Sequence, residues 1–187
     1  MAYIKKFVFP SIILAALIIL AASIALNNGN KTLYWQPNQD EISATQSRFE
    51  CRINQNFPQE ILVWEEYIMH ASAASDLDPN LIAAVILQES GGQEHIISHS
   101  GAVGLMQIMP RDGVASRFIC VNGPCFHNRP TTKELLDPQF NIQYGAQLLA
   151  GLLNTHHALR DALKAYGPMD VGHSYADTVL AIYNSKI

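Results

Sequence analysis

Between an Asp-Pro pair and a Gly-Gly pair, the chain runs from Leu81 to Gln88 without a charge. Asp78 can accept from the free N–H groups at a helix start, and Pro79 suits the first helical position. Gly91-Gly92 permits the positive φ that ends a helix. The pattern predicts a helix over 79–90, about which the rest of the domain has to be arranged. Ile82, Val85 and Ile86 stand seven, four and three residues before Glu89. Those offsets put the Glu89 carboxylate on the apolar face. Burying an ionised carboxylate is costly, so this one is partnered, neutral or held for chemistry.

The flanking sequence also reads as helices. Ile61, Trp64, Ile68 and Ala71 recur at helical spacing after Pro58 and predict one helix before the central one. Residues 93–130 carry many glycines and prolines and no long helical period, which predicts a loop-rich insertion with a short hairpin and a helical turn after Pro110. Asp137-Pro138 repeats the start signal before Ile142, Leu149, Leu152 and Leu153, with Gly145 and Ala146 allowing close approach of another element. Leu159, Ala162, Leu163 and Tyr166 stripe a further helix stopped by Gly167-Pro168, and Tyr175, Val179, Leu180 and Tyr183 fit a last one.

Phe7 to Leu26 is a 20-residue run without a charge, preceded by Lys5 and Lys6. As a helix it spans roughly 30 Å, the hydrocarbon thickness of a bilayer. It reads as a signal anchor or a signal peptide over 1–26, with Ser23-Ile24-Ala25 offering a cleavage site; either way the remainder is exported. Residues 27–56 are polar and Asn/Gln-rich and read as a linker, leaving 57–187 as the folded domain. Setting Lys5 and Lys6 aside leaves 10 basic against 16 acidic residues, which argues against a nucleic-acid surface. Cys120 and Cys125 close a turn-rich loop compatible with a disulfide or with free thiols, and Cys51 is left over.

Glu89 has two readings on its own. One is a buried structural carboxylate that caps or pairs with a group such as Arg111. The other is a general acid, because an apolar pocket favours the protonated form and lifts the pKa towards working pH. Cleavage of a glycosidic bond needs such a proton on its leaving oxygen. Downstream, Gly101, Gly104 and Gln107 lie in a predicted loop where backbone can approach a polymer ligand. Seven histidines include His156-His157 but show no HExxH-like ligand spacing, so no metal and no cofactor are expected. Ser98 and Ser100 flank His99 without a G-x-S-x-G elbow, which argues against a serine hydrolase.

Glu89-Ser90, Ser98, and Gly101-Ala102-x-Gly104-Leu105-Met106-Gln107-Ile108-Met109-Pro110 resemble the catalytic motif of the soluble-type lytic transglycosylases. The resemblance continues in Asn141-Ile142-x-x-Gly145, in Ala165-Tyr166 and in Tyr175, and covers roughly residues 57–187. It implies a mainly α, lysozyme-like domain of several helices with a loop-rich insertion, preceded here by one N-terminal hydrophobic helix. It also implies an enzyme of the extracytoplasmic cell envelope acting on peptidoglycan glycan strands, anchored to the membrane through the N-terminal segment or secreted. On this resemblance Glu89 is the sole catalytic acid/base. Ser90, Ser98, Met106 and Gln107 line or order the saccharide groove, and Tyr166 and Tyr175 form its aromatic side. The implied reaction is non-hydrolytic and leaves 1,6-anhydromuramoyl ends. Glu94 and Asp112, the nearest acidic residues after Glu89, match no motif position. Where the family usually carries Asn after the tyrosine, this chain has Gly167-Pro168. Two rivals stay open: a muramidase using water with the same Glu89, and a catalytically idle wall-binding module.

Overall fold

The computed structural model describes residues 52–186. The expected N-terminal hydrophobic helix and nearly all of the linker lie outside that range. Among the described residues, no helix is long and apolar enough to cross a membrane.

The central helix forms as expected. This helix, α3 (Pro79–Ser90), is capped by the Asp78 side chain, which accepts from the Asn80 N–H, and it ends on Gly91 in the left-handed region. Ile82, Ala83, Ala84, Val85 and Ile86 are fully buried, so the helix is enclosed around its circumference. The other helices are α1 (Gln59–Leu62), α2 (Glu65–Ser75), α4 (Thr132–Leu135), α5 (Pro138–His156), α6 (Leu159–Tyr166) and α7 (Ser174–Lys186). α2 lies against α5 and α3, α7 lies against α3, and α6 bridges α5 and α7.

The helix expected after Pro58 is two helices rather than one. α1 stops at Val63, and Trp64 leaves helical geometry at φ −96°, ψ 5°. A tertiary contact explains the break. The Trp64 indole N–H donates to the Gly92 carbonyl at 3.0 Å, and a Cβ on Gly92 would stand 2.2 Å from the Glu60 carbonyl oxygen. The turn that ends α3 therefore seats itself on α1 and re-aims the tryptophan. The folded body also begins earlier than Phe57, because Ile53 is buried in the core and the Asn54 N–H donates to Asn80 Oδ1 at 2.7 Å.

Within the insertion, a 3-10 turn (Ala115–Arg117) leads to a two-stranded hairpin, β1 (Ile119–Cys120) and β2 (Gly123–Pro124), closed by a Cys120–Cys125 disulfide. The short helix α4 was not expected. Thr131 and Glu134 form a capping box at its start, a signal present in the sequence as T-x-x-E.

Candidate active site

Glu89 emerges at the last turn of α3, half-buried, with Ile82, Val85 and Ile86 behind it in the core. Tyr175, near the start of α7, donates its phenolic O–H to Glu89 Oε1 at 2.6 Å. Burial raises the Glu89 pKa to about 7, and the Tyr175 hydrogen bond opposes that rise without cancelling it. The same burial, followed by the nearby Glu89 charge, pushes the Tyr175 phenol up, so it stays neutral and serves as a donor. The carboxyl group is thus poised to hold a proton near neutral pH.

Arg111 does not act on Glu89. Arg111 is exposed and acts on Asp112 and Glu134 instead. Among the described residues no second carboxylate shifts Glu89. Asp112 Oδ1 accepts from the Thr132 N–H and hydroxyl at 2.8 and 2.7 Å, and Glu94 sits 3.2 Å from His95.

The expected groove residues divide in two. Ser90 is buried, its Oγ donating to the Leu105 carbonyl at 2.8 Å and accepting from the Gly92 N–H. Met106 is fully buried; its N–H donates to Asn141 Oδ1 at 2.8 Å, and its side chain lies on Gly145, where a Cβ would fall 2.5 Å from the sulfur. These two side chains order the frame and do not line a surface. Ser98 Oγ accepts from the Ala102 N–H at 3.0 Å, and Gln107 Nε2 donates to the Gly104 carbonyl at 2.9 Å. Both are half-buried, and both bond to the loop itself.

The expectation that Gly101 and Gly104 admit a ligand's close approach is corrected by what surrounds them. A Cβ on Gly104 would meet the Asn141 amide at 2.4 Å, and one on Gly101 would meet the Ala115 N–H at 3.0 Å. Both have positive φ. The glycines let protein approach protein.

Asn141 deserved more weight in the sequence than its place in the resemblance. Fully buried, it donates to the Val103 and Leu135 carbonyls, each at 2.9 Å, besides accepting from Met106. An amide that makes three buried bonds from the start of α5 clamps the 103–106 segment beside the acid. Its only sequence signal is a polar residue directly beside Ile142, on a helix otherwise apolar at that face.

On the opposite rim, the Tyr166 hydroxyl donates to the Met106 carbonyl at 2.9 Å. Its pKa is raised well above the usual value by burial first and by the Glu89 charge second, while the Arg129 cation acts in the other direction. Gly167 has an ordinary backbone conformation, φ −75°. Its lack of a side chain matters for space: a Cβ there would sit 2.4 Å from the Tyr175 ring. The residue that departs from the family's usual Asn is the one against which the Glu89 partner packs.

A helical domain built around one half-buried, hydrogen-bonded carboxylic acid is the class of protein that these elements define. Residues 66–174 match the family described as the transglycosylase SLT domain, and the chain belongs to that family. It is 38% identical over 91 residues to the endo-type membrane-bound lytic murein transglycosylase A of Klebsiella pneumoniae, an alignment covering 49% of this chain and 43% of that relative. The protein of the same name from Salmonella paratyphi B is 37% identical over the same length. The chain thus spans less than half the length of the curated relatives it matches. An X-ray structure of an inactive mutant of the lytic transglycosylase Slt from Pseudomonas aeruginosa aligns with a TM-score of 0.49 at 23% identity, covering 63% of this chain and 23% of that one.

Proposed function

We propose that the chain is a peptidoglycan lytic transglycosylase that cleaves the β-1,4 bond between N-acetylmuramic acid and N-acetylglucosamine without water, using Glu89 as its single acid/base. The observation that carries this reading is the Glu89 carboxyl group, protonated up to about pH 7 by burial and acted on by no second carboxylate among the described residues. A hydrolase of the usual kind flanks the bond with two carboxyl groups, one of them ionised. Membership of the SLT family and the murein-acting names of its relatives supply the substrate class.

In the proposed reaction Glu89 gives its proton to the glycosidic oxygen as the C1–O4 bond breaks. The N-acetyl group of the muramyl unit assists at C1. The carboxylate then takes the proton of the sugar's 6-hydroxyl, whose oxygen closes on C1 and leaves a 1,6-anhydromuramoyl end. The proton returns to Glu89, so the acid is regenerated in one turnover. Tyr175 holds Oε1 throughout as a neutral donor, leaving Oε2 for the transferred proton. Ser90, Ser98, Met106 and Gln107 act as the frame of the groove, and Tyr166 belongs to its far side.

The enzyme works in this proposal on the outer face of the cell envelope, tethered through residues 1–26 or released from them. The curated relatives are named membrane-bound, which supports the tether. Digestion of purified peptidoglycan followed by mass spectrometry of the products tests the reading. Anhydro ends are expected; reducing ends would make Glu89 a muramidase acid, and no released fragments would leave a binding module.

A further inference from the structure

The insertion brings a cation to the rim of the site. Arg129 is half-buried and stands near enough to the Tyr166 hydroxyl to act on its charge, and Tyr166 in turn feels Glu89. Among the described residues the guanidinium makes no ion pair and no hydrogen bond, and none of its nitrogens is a buried atom lacking a partner. Its nitrogens therefore reach solvent. By contrast, Arg160 is bonded to Asp177 at 2.6 Å, and Arg111 acts on two carboxylates.

The arginine is also held in place. Its guanidinium carbon lies 6.0 Å from the centre of the Phe126 ring, and its backbone N–H donates to the Phe126 carbonyl at 2.9 Å. Phe126 packs edge-on against Phe118, whose carbonyl accepts at 2.9 Å from the N–H of Cys125, the cysteine that closes the hairpin. At that distance the ring face still attracts the cation, and the fork of N–H donors stays free. A pre-positioned, unpaired fork matches one kind of group above others, a carboxylate. Pre-organisation also lowers the ordering cost of forming that contact.

We infer that Arg129 is a substrate-reading residue at the rim of the groove, where its unpaired guanidinium takes a carboxylate of the muramyl unit. The inference rests on the peptidoglycan reading above. Two carboxylates qualify chemically: one on the peptide stem, and the lactyl carboxylate that is freed when the stem is absent. An uncharged glucosamine polymer carries neither.

Co-sedimentation with three insoluble polymers separates these cases. The full chain carrying Glu89→Gln, which leaves the polymers uncut, is compared with the same chain also carrying Arg129→Gln or Arg129→Lys. The polymers are stem-bearing peptidoglycan, peptidoglycan stripped of stems by an amidase, and chitin. Arg129→Gln is expected to weaken binding about tenfold or more to one or both peptidoglycans, in line with loss of a charge-assisted contact, and to leave chitin binding unchanged. Arg129→Lys keeps the charge but not the fork, and is expected to recover only part of the loss. A loss confined to stem-bearing material assigns the stem carboxylate, and a loss confined to stripped material assigns the lactyl one. Equal weakening on chitin, or no weakening on either peptidoglycan, overturns the inference. Failure of the Glu89→Gln chain to bind either peptidoglycan defeats the peptidoglycan reading itself, and the inference with it.

Discussion

The C-terminal end of α3 and the segment 96–108 are joined by the hydrogen bond from Ser90 to Leu105, and they use their polar groups in opposite ways. At the helix end, Glu89 keeps a carboxyl group half-open, with one oxygen on Tyr175 and a pKa near 7. In 96–108 the bonds run inward: Ser98 to Ala102, Gln107 to Gly104, Val103 to Ile108, and Met106 to Asn141. One region leaves an acid incompletely satisfied, and the other closes its bonds on itself or on α5. Adjacent motif residues can therefore serve different ends. Glu89 keeps its carboxyl group half-open, while Ser90, its neighbour, locks the helix end to the loop.

The largest effect is expected on the reactive side. Glu89→Gln should lower peptidoglycan cleavage by about 10²–10⁴-fold, the usual contribution of a general acid, while the chain stays folded; cleavage assays alongside thermal melts check both halves. The same substitution tests the burial of the acid through stability. Folded Glu89 holds its proton up to about pH 7, whereas an unfolded glutamate releases it near 4.5. The native state binds more protons in that window, so the stabilising contribution is complete below pH 4.5 and is lost as pH rises through 7. Glutamine escapes that loss, and at pH 8 the variant should be more stable than the parent by about 1–3 kcal/mol. An unchanged or lowered melting temperature at pH 8 would count against a buried acid.

The frame should fail by a different route. Asn141→Ala strands the Leu135 carbonyl and the Met106 N–H, and takes from the Val103 carbonyl one of two bonds, the other coming from the Ile108 N–H. Unpaired buried groups cost about 1–3 kcal/mol each, and chemical denaturation should register a total loss of about 3–5 kcal/mol. A loss near zero would mean that the loop does not depend on α5. Next in size comes Gly167→Ala, whose Cβ collides with the Tyr175 ring. It should cost about 1–3 kcal/mol by overpacking and lower kcat by displacing the Glu89 partner. Full activity in this variant would show that the ring position is not needed.

The smallest effect sharpens the comparison at one atom. Tyr175→Phe removes the hydrogen bond that lowers the Glu89 pKa, so burial acts unopposed and the pKa rises further. Activity that needs protonated Glu89 falls above pH 7 in the parent, and this falling limb should move to higher pH in the variant. A pH profile of kcat/KM measures it. A limb that stays put or moves to lower pH would separate Tyr175 from control of the acid.

Much of the fold was legible because helix starts and stops are local chemistry. Asp78-Pro79 and Asp137-Pro138 open α3 and α5, each aspartate accepting from an N–H two or three residues on. The hairpin was legible from a turn-rich loop of six residues between and including two cysteines, while the disulfide was one of two states that this loop left open. The break at Trp64 was not, because it comes from Gly92, 28 residues away, taking the indole N–H. Nor could helical spacing tell that Ser90 and Met106 face inward, since the surface they contact is built by Leu105 and Asn141 from other parts of the chain.

The sequence by itself determined that a carboxylate would stand on the apolar side of the helix over 79–90, because a 3.6-residue period leaves Glu89 no other face. Tertiary structure alone decided what that carboxylate is. Tyr175 reaches it from 86 residues further along, Gly167 makes room for the ring, and the surrounding core withholds enough water to keep the proton on. Periodicity fixes direction along one helix, whereas a pKa depends on everything packed around the end of it.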